Sequence, residues 1–191
     1  MKYPTLIIDN CESVLSDWLL LEYKHAAKIW SGKTVFTNIH KKKDTTKLKS
    51  IGSVESKNPK ELFSTENCII LDPASKIQLK TDDFNDLNAL IVGGILGYEK
   101  PRGRTKTLIS DKYGFDTRTL GKIQLTIDGA VFVAKAVLMG MKLSEMEIAN
   151  EIEIVHDSCH STTLPFGYPV IDNNPIITPG LIDYLNKEDC V

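Results

Sequence analysis

Residues 89–143 constrain the fold of this chain more than any other stretch. Residues 89–92 (ALIV) form a short, continuously apolar run that stops on Gly93-Gly94, with Gly97 close behind. A basic loop containing Pro101 follows, then a second glycine turn at Gly121, then an apolar segment rich in alanine and valine. An apolar run that ends on glycines reads as a buried strand feeding a turn where the backbone approaches a neighbour closely. In open α/β sheets, ligands lie outside the carboxyl ends of the strands. The turns at 72–74, 93–97 and 120–126 would share that edge.

The rest of the chain supplies the sheet. Residues 5–8 read as a strand closed by Asp9-Asn10, 34–38 as a second, 68–71 as a third closed by Asp72-Pro73, and 89–92 as a fourth. A weak fifth spans 115–120. Between the first two, Ser13 or Ser16 caps a helix that ends near Gly32. On it Glu22 stands four residues after Trp18 and three before His25, which places the three on one side. Residues 103–111 can start a helix, and 128–141 carry the strongest helical pattern, apolar around more than one stripe and therefore largely buried. A further edge strand is expected near 152–156, and a proline-rich, irregular tail ends in a short amphipathic helix. Helices between continuously apolar strands predict an α/β fold, a mostly parallel sheet flanked by helices, in a single domain over residues 1–191.

The chain has 191 residues and a net charge of −2, so it exerts no global pull on nucleic acid or membrane. No apolar run is long enough to span a bilayer, and the apolar part of MKYPTLIIDN is too short for a signal peptide. The cysteines at 11, 68, 159 and 190 form no CxxC pair, and His156 and His160 fall at a strand end and loop rather than on one helix. We expect no metal site and a reducing, cytoplasmic setting. Residues 40–60 carry seven lysines against Asp44 and Glu55. A solvated face explains them, as does an anionic partner such as RNA, although no aromatic residue interleaves them for base stacking.

Residues 93–97 match neither a Walker A loop nor the GxGxxG of dinucleotide binders, and no serine-hydrolase elbow is present. Taken alone, the glycine turn fits tight packing as well as a ligand site. The basic cluster around Lys100, Arg102, Arg104 and Lys106 fits a solvated loop as well as an arm for an anionic ligand or partner.

Together these pieces carry a family resemblance. LIVGGILGYEKPRGRTKTL, RTLGKIQLTIDGA, LPFGYPV with PIITPGLIDYL, and the opening LIIDNCESVLSDWLLLEYKH resemble the SPOUT superfamily of S-adenosylmethionine-dependent methyltransferases. Within it they are most similar to the branch of yeast-type ribosomal-protein arginine methyltransferases and their archaeal relatives. The resemblance implies a trefoil knot over about residues 68–143, with a C-terminal extension over about 156–191. It also implies that three loops hold S-adenosylmethionine mainly through backbone groups. In this chain those are Leu71, Asp72, Pro73 and Ala74; Gly93, Gly94, Ile95, Leu96 and Gly97; and Leu120, Gly121, Ile123, Gln124, Leu125 and Thr126. Departures from the branch are Asp9 for Glu, Ala74 for Arg, Gly167 for the Arg of a PFRY motif, and Ile127-Asp128-Gly129 for T-D-T.

An arginine acceptor stays protonated in water, so a carboxylate is needed to orient it and take up its proton. Glu22 is the first candidate, followed by Asp9, Glu12 and Asp128; Glu22 reads equally as a helix-surface carboxylate paired to a neighbouring Lys or His. Arg102, Arg104 and Lys106 would line the rim for a macromolecular substrate, a ribosomal protein on the resemblance. Two other functions stay open at this point, an RNA methyltransferase and a non-catalytic ribosome-associated binder. So does the choice between monomer and homodimer.

Overall fold

The computed structural model describes residues 3–63, 67–98, 102–155 and 160–188. In chain order the strands are β1 (Thr5–Asn10), β2 (Thr34–Thr37), β3 (Ser53–Val54), β4 (Cys68–Leu71), β5 (Ala89–Gly94), β6 (Asp116–Arg118), β7 (Ile148–Ala149), β8 (Ile152–Val155), β9 (Ser161–Leu164), β10 (Tyr168–Ile171) and β11 (Asn174–Pro175). The helices are α1 (Asp17–Ile29), α2 (Lys42–Leu48), α3 (Pro59–Leu62), α4 (Asp111–Tyr113), α5 (Ile127–Leu138) and α6 (Leu181–Glu188). A π-helical turn over Lys106–Ser110 runs into α4.

The main sheet has the order β3-β2-β1-β5-β4-β6, and every pairing in it is parallel. Its two central strands are apolar because both faces are covered. Leu6, Ile8, Leu90 and Val92 point into a core shared with α1 and α5. Ile7, Ile70 and Ile91 point the other way, onto Ile109, Tyr113 and Phe115. Each such side chain, fully buried, stabilises by roughly 1.5–3 kcal/mol before entropy is counted.

The helices begin where local chemistry allows. Of the two candidate serines, Ser16 caps α1, its hydroxyl accepting the Leu19 N–H at 3.2 Å. Thr126 caps α5 by accepting the Gly129 N–H at 3.1 Å. α5 stops at Leu138, short of the expected residue 141, because Gly140 takes φ +99° in the left-handed region.

Two expectations need correction. The strand near 152–156 is not an edge of the main sheet. β8 instead pairs antiparallel with β9 in a separate two-stranded sheet, and His156 lies outside the described residues. The tail is also less irregular than its prolines suggest, since β10 pairs antiparallel with both β7 and β11. The lysine-rich stretch, expected to be a solvated face, includes short regular elements. It holds α2, β3 and α3, the last with a reciprocal Asn58–Glu61 capping box.

The tail folds back onto the sheet edge. The Gly167 N–H donates to the Gln124 carbonyl at 2.8 Å, and Leu125 bridges to Gly167. A Cβ at Gly167 would stand 2.5 Å from Ile123 Cγ2 and 2.9 Å from Leu125 Cδ2, so glycine permits this approach. Further on, the Thr178 hydroxyl donates to Asp128 at 2.6 Å, and α6 lays Leu181, Tyr184 and Leu185 beside Trp18 of α1.

Candidate active site

The carboxyl ends of β4, β5 and β6 open onto a cavity of about 170 Å³. The turn after β4 contributes Leu71, Asp72, Pro73 and Ala74. The turn at β5 contributes Gly93, Ile95, Leu96, Gly97 and Tyr98. The loop before α5 contributes Leu120, Gly121, Ile123, Gln124, Leu125 and Thr126. The three expected loops therefore meet around one space. Gly94 is the exception. A Cβ there would overlap the Tyr23 hydroxyl, so this glycine serves packing against α1 and faces away from the cavity.

Side chains hold the loops in place. Asp72 accepts the Ala74 N–H at 2.8 Å and the Ser110 hydroxyl at 2.6 Å, closing the first turn. Glu12 Oε1 accepts the Leu96 N–H at 3.0 Å and Arg104 Nη1 at 2.7 Å, fixing the second. Gly97 lies so close to Gln124 and Phe166 that a Cβ would overlap both. With apolar Leu71, Ile95, Leu120, Leu125 and Ala130 between glycines and backbone, the cavity fits a ligand with one broad apolar face whose polar groups meet main-chain atoms.

The basic rim divides. Arg104 lines the cavity and is kept firmly charged by its hydrogen bond to Glu12. Arg102 also lines it and stacks its guanidinium 3.8 Å from the Tyr98 ring centroid. Lys106 does not line the cavity. It is exposed and pairs with Asp111 at 2.6 Å. Lys100 lies outside the described residues.

A second, smaller chamber of about 120 Å³ adjoins the first. The two share Ile95, Leu96, Gly97, Leu125 and Thr126, and the remaining walls of the chamber are Trp18, Glu22 and Phe166. Glu22 is buried. Its Oε1 accepts the Trp18 indole N–H at 2.6 Å and its Oε2 accepts the Ile127 N–H at 2.9 Å. Burial pushes its pKa up to about 8, the Asp128 charge adds to the rise, and the two hydrogen bonds oppose it.

Of the four carboxylates considered, Glu22 alone faces a cavity, among the described residues. Asp9 is fully buried at the end of β1, where it accepts from Thr37, Asn38 and Tyr113 at 2.6, 2.6 and 3.0 Å. Burial raises its pKa, and it lines neither space. Asp128 is a structural junction. Its Oδ2 lies 2.7 Å from His25 Nδ1 and accepts from Thr178, while Oδ1 accepts the Gly129 N–H. Glu12 acts on the loop and on Arg104, as above. Among the described residues, no group of acidic, histidine and cysteine side chains is arranged to hold a metal, and no helix is long and apolar enough to cross a membrane.

Sequence reasoning missed Trp18 and Phe166 as chamber walls. Trp18 carried a signal, the four-residue spacing that puts it beside Glu22. Phe166 carried one only as part of the LPFGYPV motif of the resemblance, which does not say that the fold brings the tail to α1.

The sequence and the fold match known proteins. The chain is 28% identical to protein arginine N-methyltransferase SFM1 of Saccharomyces cerevisiae, covering 98% of this chain and 95% of that protein. The crystal structure of yeast SFM1 complexed with SAM superposes with a TM-score of 0.88 at 24% identity, covering 100% of this chain and 93% of that one. A dual-specific Trm10 from Thermococcus kodakaraensis shares the fold more distantly, with a TM-score of 0.59 at 16% identity over 75% of this chain and 96% of that one. The family model for SFM1-like protein arginine N-methyltransferases matches residues 5–190, nearly the whole sequence, and the chain belongs to that family.

Proposed function

We propose that this protein is an S-adenosylmethionine-dependent protein arginine N-methyltransferase, with the cofactor in the three-loop cavity and the acceptor arginine in the chamber at Glu22. The observation that carries this reading is the shared partition. One set of residues, 95–97 and 125–126, walls both the apolar cavity and the chamber that holds the buried carboxylate. Methyl transfer needs donor and acceptor in line and in contact, and two adjoining sites supply that arrangement.

When bound, S-adenosylmethionine supplies an electrophilic methyl group. The residues that would hold it are 71–74, 93 and 95–97, and 120–126, through main-chain groups and apolar side chains. Arg102 at the rim suits the approach of a carboxylate or of an acidic substrate segment, while Arg104 fixes the second loop through Glu12. Glu22 holds the guanidinium and takes its proton at a carboxylate oxygen. In the free protein, burial and Asp128 favour the protonated acid. An arriving cation offsets both, so Glu22 becomes the carboxylate that the reaction needs. Trp18, Phe166, Ile95 and Leu125 keep water from the reacting nitrogen.

The resemblance supports a ribosomal protein as substrate and the knotted threading of residues 68–143. RNA as acceptor has less behind it, because the cavity wall's Arg104 is committed within the chain and two exposed lysines also have acidic partners. Arg104 pairs with Glu12, Lys106 with Asp111 and Lys47 with Asp17. Incubation of the purified protein with tritiated S-adenosylmethionine and whole ribosomes tests the reading. Label in the protein fraction supports it. Label in rRNA favours the RNA reading, and absence of both label and calorimetric cofactor binding favours a non-catalytic binder.

A further inference from the structure

We infer that Trp18 and Phe166 are the specificity-determining walls of the acceptor chamber, selecting a planar guanidinium over an ammonium of equal charge. The inference rests on the proposed arginine methyltransferase and names how its chamber chooses its acceptor.

Ionised, the Glu22 carboxylate offers about four lone-pair directions, two on each oxygen. One on Oε1 is filled by the Trp18 indole N–H at 2.6 Å and one on Oε2 by the Ile127 N–H at 2.9 Å. Each oxygen keeps one acceptor site. Two parallel acceptors match the paired donors of a guanidinium fork, whereas an ammonium presents its donors tetrahedrally from one nitrogen.

The walls favour the same ion. Trp18 and Phe166 are both partly buried aromatics lining the chamber beside Glu22. A flat, weakly hydrated guanidinium stacks on aromatic faces, and a compact, strongly hydrated ammonium loses more on leaving water. Both walls are braced. The Trp18 ring meets Tyr184 of α6 edge-on, centroids 6.2 Å apart, and its N–H is fixed by Glu22. Phe166 packs on Gly97, and its neighbour Gly167 is hydrogen-bonded to the Gln124 carbonyl. The chamber is therefore set before an acceptor arrives.

The chain contains two tryptophans, which makes the test direct. Trp30 is fully buried with its indole N–H on the Pro4 carbonyl at 3.0 Å, and serves as the internal control. The full chain, labelled with ¹⁵N, is titrated with methylguanidinium chloride and, separately, methylammonium chloride at matched ionic strength, with and without saturating S-adenosylhomocysteine. The Trp18 indole signal, assigned by W18F, is expected to shift saturably with methylguanidinium while Trp30 stays still. Methylammonium should bind at least about tenfold more weakly, and F166L should weaken methylguanidinium about fivefold. An unmoved Trp18 signal, or equal affinity for the two cations in the wild-type chain, overturns the inference whatever F166L does. Label entering arginine alongside an indifferent Trp18 sinks this inference alone. A discriminating Trp18 in a chain that transfers no methyl group sinks the methyltransferase reading alone.

Discussion

The Glu22 carboxylate accepts the Ile127 N–H at 2.9 Å, so a side chain from the middle of α1 caps the first residue of α5. This bond holds the proposed acceptor carboxylate against the loop that also walls the cofactor cavity. It also gives Glu22 a structural task beside its chemical one, and a test of Glu22 has to separate the two.

Glu22→Gln is expected to lower methyl transfer by about 10²–10⁴-fold, the usual contribution of a positioned acid–base group. The amide keeps one acceptor but sets its NH₂ against either Trp18 or Ile127, which costs about 1–3 kcal/mol of stability. Affinity for S-adenosylhomocysteine should stay within about threefold of wild type. Turnover, calorimetry and thermal melting on one preparation separate the effects. Wild-type turnover with a lowered melting temperature would leave Glu22 a helix anchor only.

The pH profile carries the signature of the same group. Burial first, then the Asp128 charge, raises Glu22 to about 8 in the folded protein, against an ordinary value of 4.5. Only the ionised form receives a guanidinium, so kcat/KM for the acceptor should climb with pH and level off above about 8. Asp128→Asn removes the second cause and should move this limb to lower pH. Stability runs the other way. Because the folded pKa is raised, the contribution of Glu22 is fully present below about 4.5 and is lost as pH rises through about 8. The stability gap between wild type and E22Q, followed by urea unfolding at several pH values, should therefore shift in favour of E22Q over that window.

Gly97 tests the partition between the two spaces. A Cβ there overlaps Gln124 and Phe166, from the third loop and the tail respectively. Gly97→Ala is expected to push the loops apart at a cost of about 1–3 kcal/mol and to weaken S-adenosylhomocysteine by about tenfold or more. Gly94→Ala provides the contrast. Its Cβ meets Tyr23 and the Asn10 backbone, so it should lower the melting temperature with little specific change in ligand affinity.

These two glycines also mark how far the sequence could be read. Both sit in one GGILG turn, and glycine alone does not say whether a ligand or a neighbouring helix comes close. The inner strands were legible because sheets covered on both faces leave uninterrupted apolar runs, as in residues 68–71 and 89–92. β6 (Asp116-Thr117-Arg118) was weak because it is an edge strand with polar side chains. β3 was lost in the lysine run, where two residues pair with β2 at the opposite edge. The three cavity loops followed from family resemblance; the second and third carry glycines, whereas the first, residues 71–74, carries none and gave no such signal. The chamber was not legible, because Phe166 reaches Glu22 only through the docking of the tail on residues 123–125.

Glu12 separates loop positioning from overall stability. It holds the Leu96 N–H and Arg104 in a part-exposed pair. Exposed pairs contribute at most about 1 kcal/mol, so Glu12→Ala should shift unfolding little. Loss of the Leu96 tether should instead weaken S-adenosylhomocysteine by about threefold to tenfold. Paired calorimetry and melting curves check the split. Equal losses in both would make Glu12 a general stabiliser.

In the proposed reaction a methyl group passes to an arginine nitrogen held at Glu22. Protein labelled from tritiated S-adenosylmethionine and ribosomes, hydrolysed to free amino acids and resolved by chromatography, tests it most directly. Tritium is expected in methylarginine with wild-type protein and is expected to be lost with Glu22→Gln. Tritium in methyllysine or in nucleotides, or undiminished methylarginine with the variant, would contradict it.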